Sequence, residues 1–327
     1  MIDPLWVLSS TKPLLKAGIV AIDHTTVAEI AKTISPEKVA QTAKPRFFFE
    51  GWTWEEQVAM ALIFNAVNFS FWPSRGETRW TVRGPEGKIL DGSTAASFCL
   101  ENAVRQGRID PFFFSDFCRM DKEDLAQIFQ GEGDSEIPLL AERLTCLDEL
   151  GRGVPIQREG SVEALLAVTG SSATGLVRYL TSRVPNFNDI VGKSPREVSF
   201  YKRAQLAASM IHRILVENRR GGFADIGILT AFADYRVPQI LRELGILVYD
   251  HELAETIDGE RDLPPESMGE VCIRAATVWG VEYLRQELEE RFGSPITAAQ
   301  VDFYLWLKAR ELKDSMRPHH RTRTIAY

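Results

Sequence analysis

The chain has 327 residues, of which 45% are hydrophobic and 25% charged, with 38 Lys and Arg against 45 Asp and Glu. That length and apolar content suit one large globular domain with a substantial core and exclude a disordered or fibrous chain. The net charge of −7 argues against a wide grip on a nucleic-acid backbone, and no apolar run reaches the ~20 residues of a membrane helix.

Residues 1–10 show no basic stretch followed by an apolar core, so no signal peptide is expected and the chain reads as cytoplasmic. Ser35-Pro36-Glu37 places a cap, a first-turn proline and an acid in the order that starts a helix. Thr53-Trp54-Glu55-Glu56 is a capping box ahead of apolar Val58, Met60, Leu62 and Ile63, and predicts a helix to about Asn68. Residues 78–83, a Gly84-Pro85-Glu86-Gly87 turn and residues 88–91 predict a β-hairpin. Residues 131–137 read as a loop. Apolar residues at three- and four-residue spacing predict a helix over 201–217 with a glycine stop near Gly221-Gly222. Asp234, with Pro238 in the following turn, marks another helix start. The longest predicted helix covers 268–292, and Ser294-Pro295 predicts a last one reaching about Met316. No strand–helix alternation occurs, so the fold class is mainly α, a helical globule with a small β-hairpin. It is taken as one domain over 1–327, with room for two close-packed lobes at about 1–150 and 151–327.

The common chemical signatures are absent. Five histidines form no H-E-x-x-H and no paired Cys/His set, so neither a metal nor a cofactor is expected. Cys99, Cys118, Cys146 and Cys272 lie far apart and read as reduced, mostly buried thiols. There is no G-x-S-x-G elbow, phosphate loop or dinucleotide fingerprint. The densest polar-aromatic region is Val198-Ser199-Phe200-Tyr201-Lys202-Arg203-Ala204-Gln205 together with Phe232-Ala233-Asp234-Tyr235-Arg236-Val237-Pro238-Gln239. A carboxylate at the Asp234 helix start lies close to backbone N–H groups and either stabilises a sugar oxocarbenium ion, orients the water that captures it, or only caps the helix. Lys202-Arg203 reads first as an exposed charge pair and second as a cation that holds a phosphate.

Those two blocks, with Asn68-Phe69-Ser70-Phe71-Trp72, Tyr304-Leu305-Trp306 and the ending His320-Arg321-Thr322-Arg323, resemble the queuosine salvage protein family. The resemblance implies a fold like that of helix-hairpin-helix DNA glycosylases. It also implies hydrolysis of queuosine 5′-monophosphate to queuine and ribose 5-phosphate, for salvage into tRNA modification. It makes Asp234 the catalytic residue. Lys202, Tyr235 and Arg236 are then assigned to the phosphate or ribose, and Phe232, Asp302, Asn68 and Phe48 to the base. An Asp302 carboxylate would accept from the base N1–H and exocyclic amine, its alternative being a solvated face residue. Phe232 is either a stacking face or a core residue, and Trp72 and Trp306 are packing residues first. The basic C-terminal segment would fold back near the site. The expected partners are the small-molecule substrate and queuine, with no stable nucleic acid and no membrane. Two rival readings are a DNA or RNA glycosylase-like nucleic-acid-binding protein and a non-enzymatic helical adaptor.

Overall fold

The computed structural model describes residues 3–42, 51–158, 160–194 and 196–327. Helices dominate, and the regular strands among the described residues form three two-stranded antiparallel pairs. The predicted hairpin is Thr81–Arg83 paired with Ile89–Asp91, with Val82 opposite Leu90. Val20–Ile22 pairs with Leu247–Tyr249, and Ile190–Val191 with Val198–Ser199.

The Trp54–Ala66 helix opens on the expected capping box, in which Thr53 and Glu56 satisfy each other's backbone N–H groups. Every side chain from Val58 to Ala66 is buried, so this helix is the axis of the first core rather than an amphipathic surface element. Its small residues Ala59, Ala61 and Ala66 let it approach the Lys202–Glu217 helix, which presents Ala204, Ala207 and Ala208. The first apolar cluster is built mainly from residues 58–229. The second joins residues 20–39 to 231–316. The 25-residue Met268–Phe292 helix contributes to both clusters, with Val271 and Val278 in one and Cys272, Ile273 and Ala276 in the other. It starts on a Ser267 cap and ends at Gly293, whose φ of 64° makes the left-handed stop that glycine permits.

Three expectations are corrected. The last long helix is Ala298–Leu312, started by a Thr297–Gln300 capping box, so Ser294-Pro295 lies before it. The 201–217 helix ends at Asn218 and Arg219 rather than at a glycine. Arg219 adopts φ 56° while the Arg220 N–H returns to the Leu215 carbonyl at 2.8 Å. Lys202 and Arg203 are not an exposed pair: they are 5% and 1% exposed.

Arg203 is buried because it caps the C-terminal end of the Trp54–Ala66 helix, where carbonyls have no intrahelical partner. It donates to the carbonyls of Ala66 at 2.6 Å and Asn65 at 3.2 Å, and also to that of Asn186. Arg143 continues the task, donating to the carbonyls of Val67, of Phe69 at 2.7 Å, of Ser70 at 3.2 Å and of Pro138 at 2.9 Å. Both guanidinium groups also lie near the Phe69 ring, at 4.3 and 5.0 Å from its centre. Burial draws the Arg143 pKa down to about 9. Arg143→Met takes the side-chain donor from the buried carbonyls of Phe69, Ser70 and Pro138, while that of Val67 keeps the Phe69 N–H at 3.2 Å. Urea unfolding is therefore expected to show a loss of about 3 kcal/mol or more.

Candidate active site

Residues 229–234 are irregular yet buried or half-buried, which is tolerable only if their backbone polar groups find partners. Side chains from other elements supply them. The Thr230 N–H donates to Gln205 Oε1 at 2.8 Å, and the Phe232 N–H to Asp302 Oδ2 at 2.9 Å. The Ala233 carbonyl accepts from Arg274 Nε at 3.2 Å. The segment thus delivers Asp234 to the start of the Arg236–Glu243 helix. There Asp234 Oδ1 accepts the N–H groups of Arg236 at 2.8 Å and Val237 at 2.9 Å. Tyr235 occupies the flanking cap position, and Asp234 reaches over it to the first turn.

Three ionisable groups from distant segments converge here. Asp234 keeps some exposed surface, but the protein around it is deep enough that burial raises its pKa, against the opposing pull of Lys202 and of the two N–H groups. Asp302, on the Ala298–Leu312 helix, is 4% exposed, so its solvated-face alternative is excluded. Burial and the Asp234 charge together hold its carboxyl well above the usual range. Lys202 opens its own helix, and burial draws its ammonium down to about 8 although Asp234 favours the charged form. Its Nζ donates to the Asn68 carbonyl at 3.4 Å, which brings Asn68 to the same place. Of the two carboxyls Asp302 is the more strongly raised: it accepts one backbone N–H where Asp234 accepts two, and the Asp234 charge opposes its ionisation.

Phe232 is 5% exposed and belongs to neither apolar cluster, a placement that suits a ring facing the site. Phe48 lies outside the described residues. Tyr235 and Arg236 sit to one side of Asp234, lining a cavity with Arg79, Arg310 and the helix start at Gly92, Ser93 and Thr94. The Gly92–Arg105 helix has no side-chain cap, so its first-turn N–H groups remain available to an anion. Burial disfavours the Arg310 charge, while Asp91 favours it and Arg236 opposes it. Arg79 is offset by Asp91 at 3.4 Å. Trp306 lines this cavity and stacks on Phe303 at 5.6 Å, while Trp72 carries the guanidinium groups of Arg321 and Arg323 at 4.7 and 5.5 Å.

The C-terminal segment does fold back. Gln239 Nε2 donates to the Arg317 carbonyl at 2.7 Å, and the His319 ring lies 4.7 Å from that of Tyr235. Burial, reinforced by nearby arginines, draws His319 down to about 3, so it is neutral. Ser70 N–H donates to the Tyr327 main-chain oxygen at 2.9 Å. Nothing in the sequence reading singled out Arg274, Asp189 or Arg310, and it gave Gln205 and Arg79 no role beyond their block and hairpin. The available signal was Arg274 itself, a charge embedded among Val271, Cys272, Ile273 and Ala275. Among the described residues no group of three or more His, Cys, Asp or Glu side chains could hold a metal, and no helix is long and apolar enough to cross a membrane.

The family model described as "Queuosine salvage protein" matches residues 51–327. A queuosine 5′-phosphate N-glycosylase/hydrolase of Sphaerobacter thermophilus is 39% identical over 99% of this chain and 98% of its own. Proteins of the same description from Bos taurus and Mus musculus are 31% and 33% identical, covering 94% and 83% of each chain.

Proposed function

The chain belongs to the queuosine salvage protein family, and on that premise we propose that Asp234 answers the positive charge that develops on a ribose as its glycosidic bond breaks. The protein is a queuosine 5′-phosphate N-glycosylase/hydrolase. Water and queuosine 5′-phosphate give queuine and ribose 5-phosphate, and queuine becomes available for tRNA modification. The observation that carries the assignment of roles is the convergence of Asp234, Lys202 and Asp302 from three separate segments.

The departing base is a 7-deazaguanine, with carbon where guanine has N7, so protonation at that position cannot assist it. The barrier falls instead through stabilisation of the cation at C1′ and through hydrogen bonds to the leaving base. Asp234 is fixed by two backbone N–H groups and needs no reorganisation to meet that charge. Lys202 keeps Asp234 ionised and holds the ribose end. Asp302 reads the donor edge of the base, whose N1–H and amine favour the ionised carboxylate once bound. Phe232 stacks on the heterocycle and Asn68 walls it.

The 5′-phosphate goes to the basic cavity of Tyr235, Arg236, Arg79 and Arg310 at the Gly92 helix start. Arg236→Ala is expected to lower kcat/KM for the monophosphate about 10–100-fold, the equivalent of one charge-assisted contact. Unphosphorylated queuosine, assayed in parallel, should be nearly unaffected; equal losses would assign Arg236 to the fold or the ribose.

The helix start at Asp234 supports a kinship with helix-hairpin-helix glycosylases, in a single hydrolase domain whose site lies at the seam of two apolar clusters. The deciding experiment is incubation with queuosine 5′-monophosphate and chromatographic detection of free queuine. Intact substrate after incubation with folded protein would overturn the reading.

A further inference from the structure

Arg274 is 1% exposed and uses its guanidinium on all sides. Nη1 and Nη2 donate to the two oxygens of Asp189 at 3.0 and 2.5 Å, and Nε donates at 3.2 Å to the carbonyl of Ala233, the peptide that leads into Asp234. Asp189 in turn holds the start of the Lys202 helix. Its Oδ2 accepts the Lys202 N–H at 3.1 Å, and its carbonyl accepts the N–H groups of Phe200 at 3.0 Å and Tyr201 at 3.2 Å. That convergence requires Tyr201 to adopt φ 51°, a left-handed conformation that a tyrosine rarely takes. The pair is enclosed by Glu270, 3.7 Å from Arg274, and by the rings of Phe200 and Tyr327 at 3.9 and 4.6 Å. Tyr327 donates its hydroxyl to Glu270 at 2.9 Å, and His320 meets the same hydroxyl at 3.2 Å.

One ion pair therefore joins the peptide before Asp234 to the first N–H of the Lys202 helix. It sits on the helix that contributes to both apolar clusters, where non-directional packing alone does not fix the spacing of two charges. A buried pair contributes little net stability over an apolar substitute, because desolvation offsets its attraction. Its directional hydrogen bonds, in contrast, define a distance. We propose that Arg274 and Asp189 are positioning residues for the hydrolysis, setting the separation of Asp234 and Lys202 through the backbone without touching the substrate. The proposal rests on the reading of Asp234 and Lys202 as the groups that face the ribose.

The test is the double variant Asp189→Asn/Arg274→Gln, which removes both charges of the pair and leaves Glu270 to the Glu266 N–H and the Tyr327 hydroxyl. It is compared with the parent and with Asp234→Asn on queuosine 5′-monophosphate, below the melting temperature of every protein. Loss of alignment is expected to lower kcat about 10-fold or more, with KM within about 3-fold of the parent. The acidic limb of the kcat–pH profile should also move to higher pH. Asp234 is faced by Lys202, Arg236 and Asp302, and distancing Lys202 removes the main charge that favours its ionised form. A purely structural pair would lower the melting temperature and leave kcat and the limb at parental values, which overturns the proposal. If the double variant does not fold, Arg274→Lys decides by the same two readings, since it keeps the charge near Asp189 but has no donor equivalent to Nε. An inactive Asp234→Asn beside pair variants of parental kcat defeats the proposal alone. An Asp234→Asn of parental kcat defeats the underlying reading and the proposal together.

Discussion

Asp234→Asn is expected to lower kcat about 10²–10³-fold while the melting temperature stays near that of the parent. The amide oxygen can still accept the N–H groups of Arg236 and Val237, now bonded at 2.8 and 2.9 Å, and asparagine caps helices about as well as aspartate. What disappears is the negative charge. The ground-state ribose has no positive charge at C1′, so KM should move much less than kcat. Steady-state kinetics and thermal unfolding of the two proteins check both statements. A folded variant with parental kcat would leave Asp234 as a helix cap.

The second large effect concerns Lys202. Its ammonium titrates at about 8, below the ordinary lysine value because it is buried, so it is cationic below that pH and neutral above it. Activity that needs the cation is therefore present below about pH 8 and fades above it. Lys202→Met keeps most of the stem and abolishes this basic limb. It also withdraws the charge that opposes the burial of Asp234, so the acidic limb moves upward and more of Asp234 is protonated at neutral pH. Lys202 also holds the ribose end, and a lost charge-assisted contact costs about 1.5–3 kcal/mol, so kcat/KM at neutral pH should fall about 10–100-fold. Profiles of kcat/KM against pH decide it, and identical limbs in the two proteins would remove Lys202 from the site.

Local signals were legible in the sequence where the interacting groups are close in the chain. The Thr53 capping box, the Ser267 to Gly293 helix and the Asp234 helix start depend on residues within a few positions of one another, and all are present. The misreadings share a different cause. Ser294-Pro295 looks like a helix start, but Thr297 and Gln300 form the reciprocal pair three residues later. Lys202-Arg203 looks solvated because charge pairs usually are, whereas their hydrogen-bond partners at 65–68 and 186 come from other segments. Arg274 had a visible anomaly, its charge in an apolar stripe, but its partners Asp189 and Ala233 have no periodic relation to it. The proposed role of Asp234 came from blocks of sequence, and the surroundings of those blocks came only from the fold.

The buried irregular segment also has a consequence for measurement. The amides of Thr230 and Phe232 are in no helix or strand, and each is held by a side chain from a different helix, Gln205 in one case and Asp302 in the other. In most proteins, slow hydrogen exchange reports the opening of secondary structure. Here these two amides exchange when the Lys202–Glu217 helix or the Ala298–Leu312 helix parts from the segment between them. Their protection thus registers the assembly of the site itself, separately for each flanking helix, and without any substrate present.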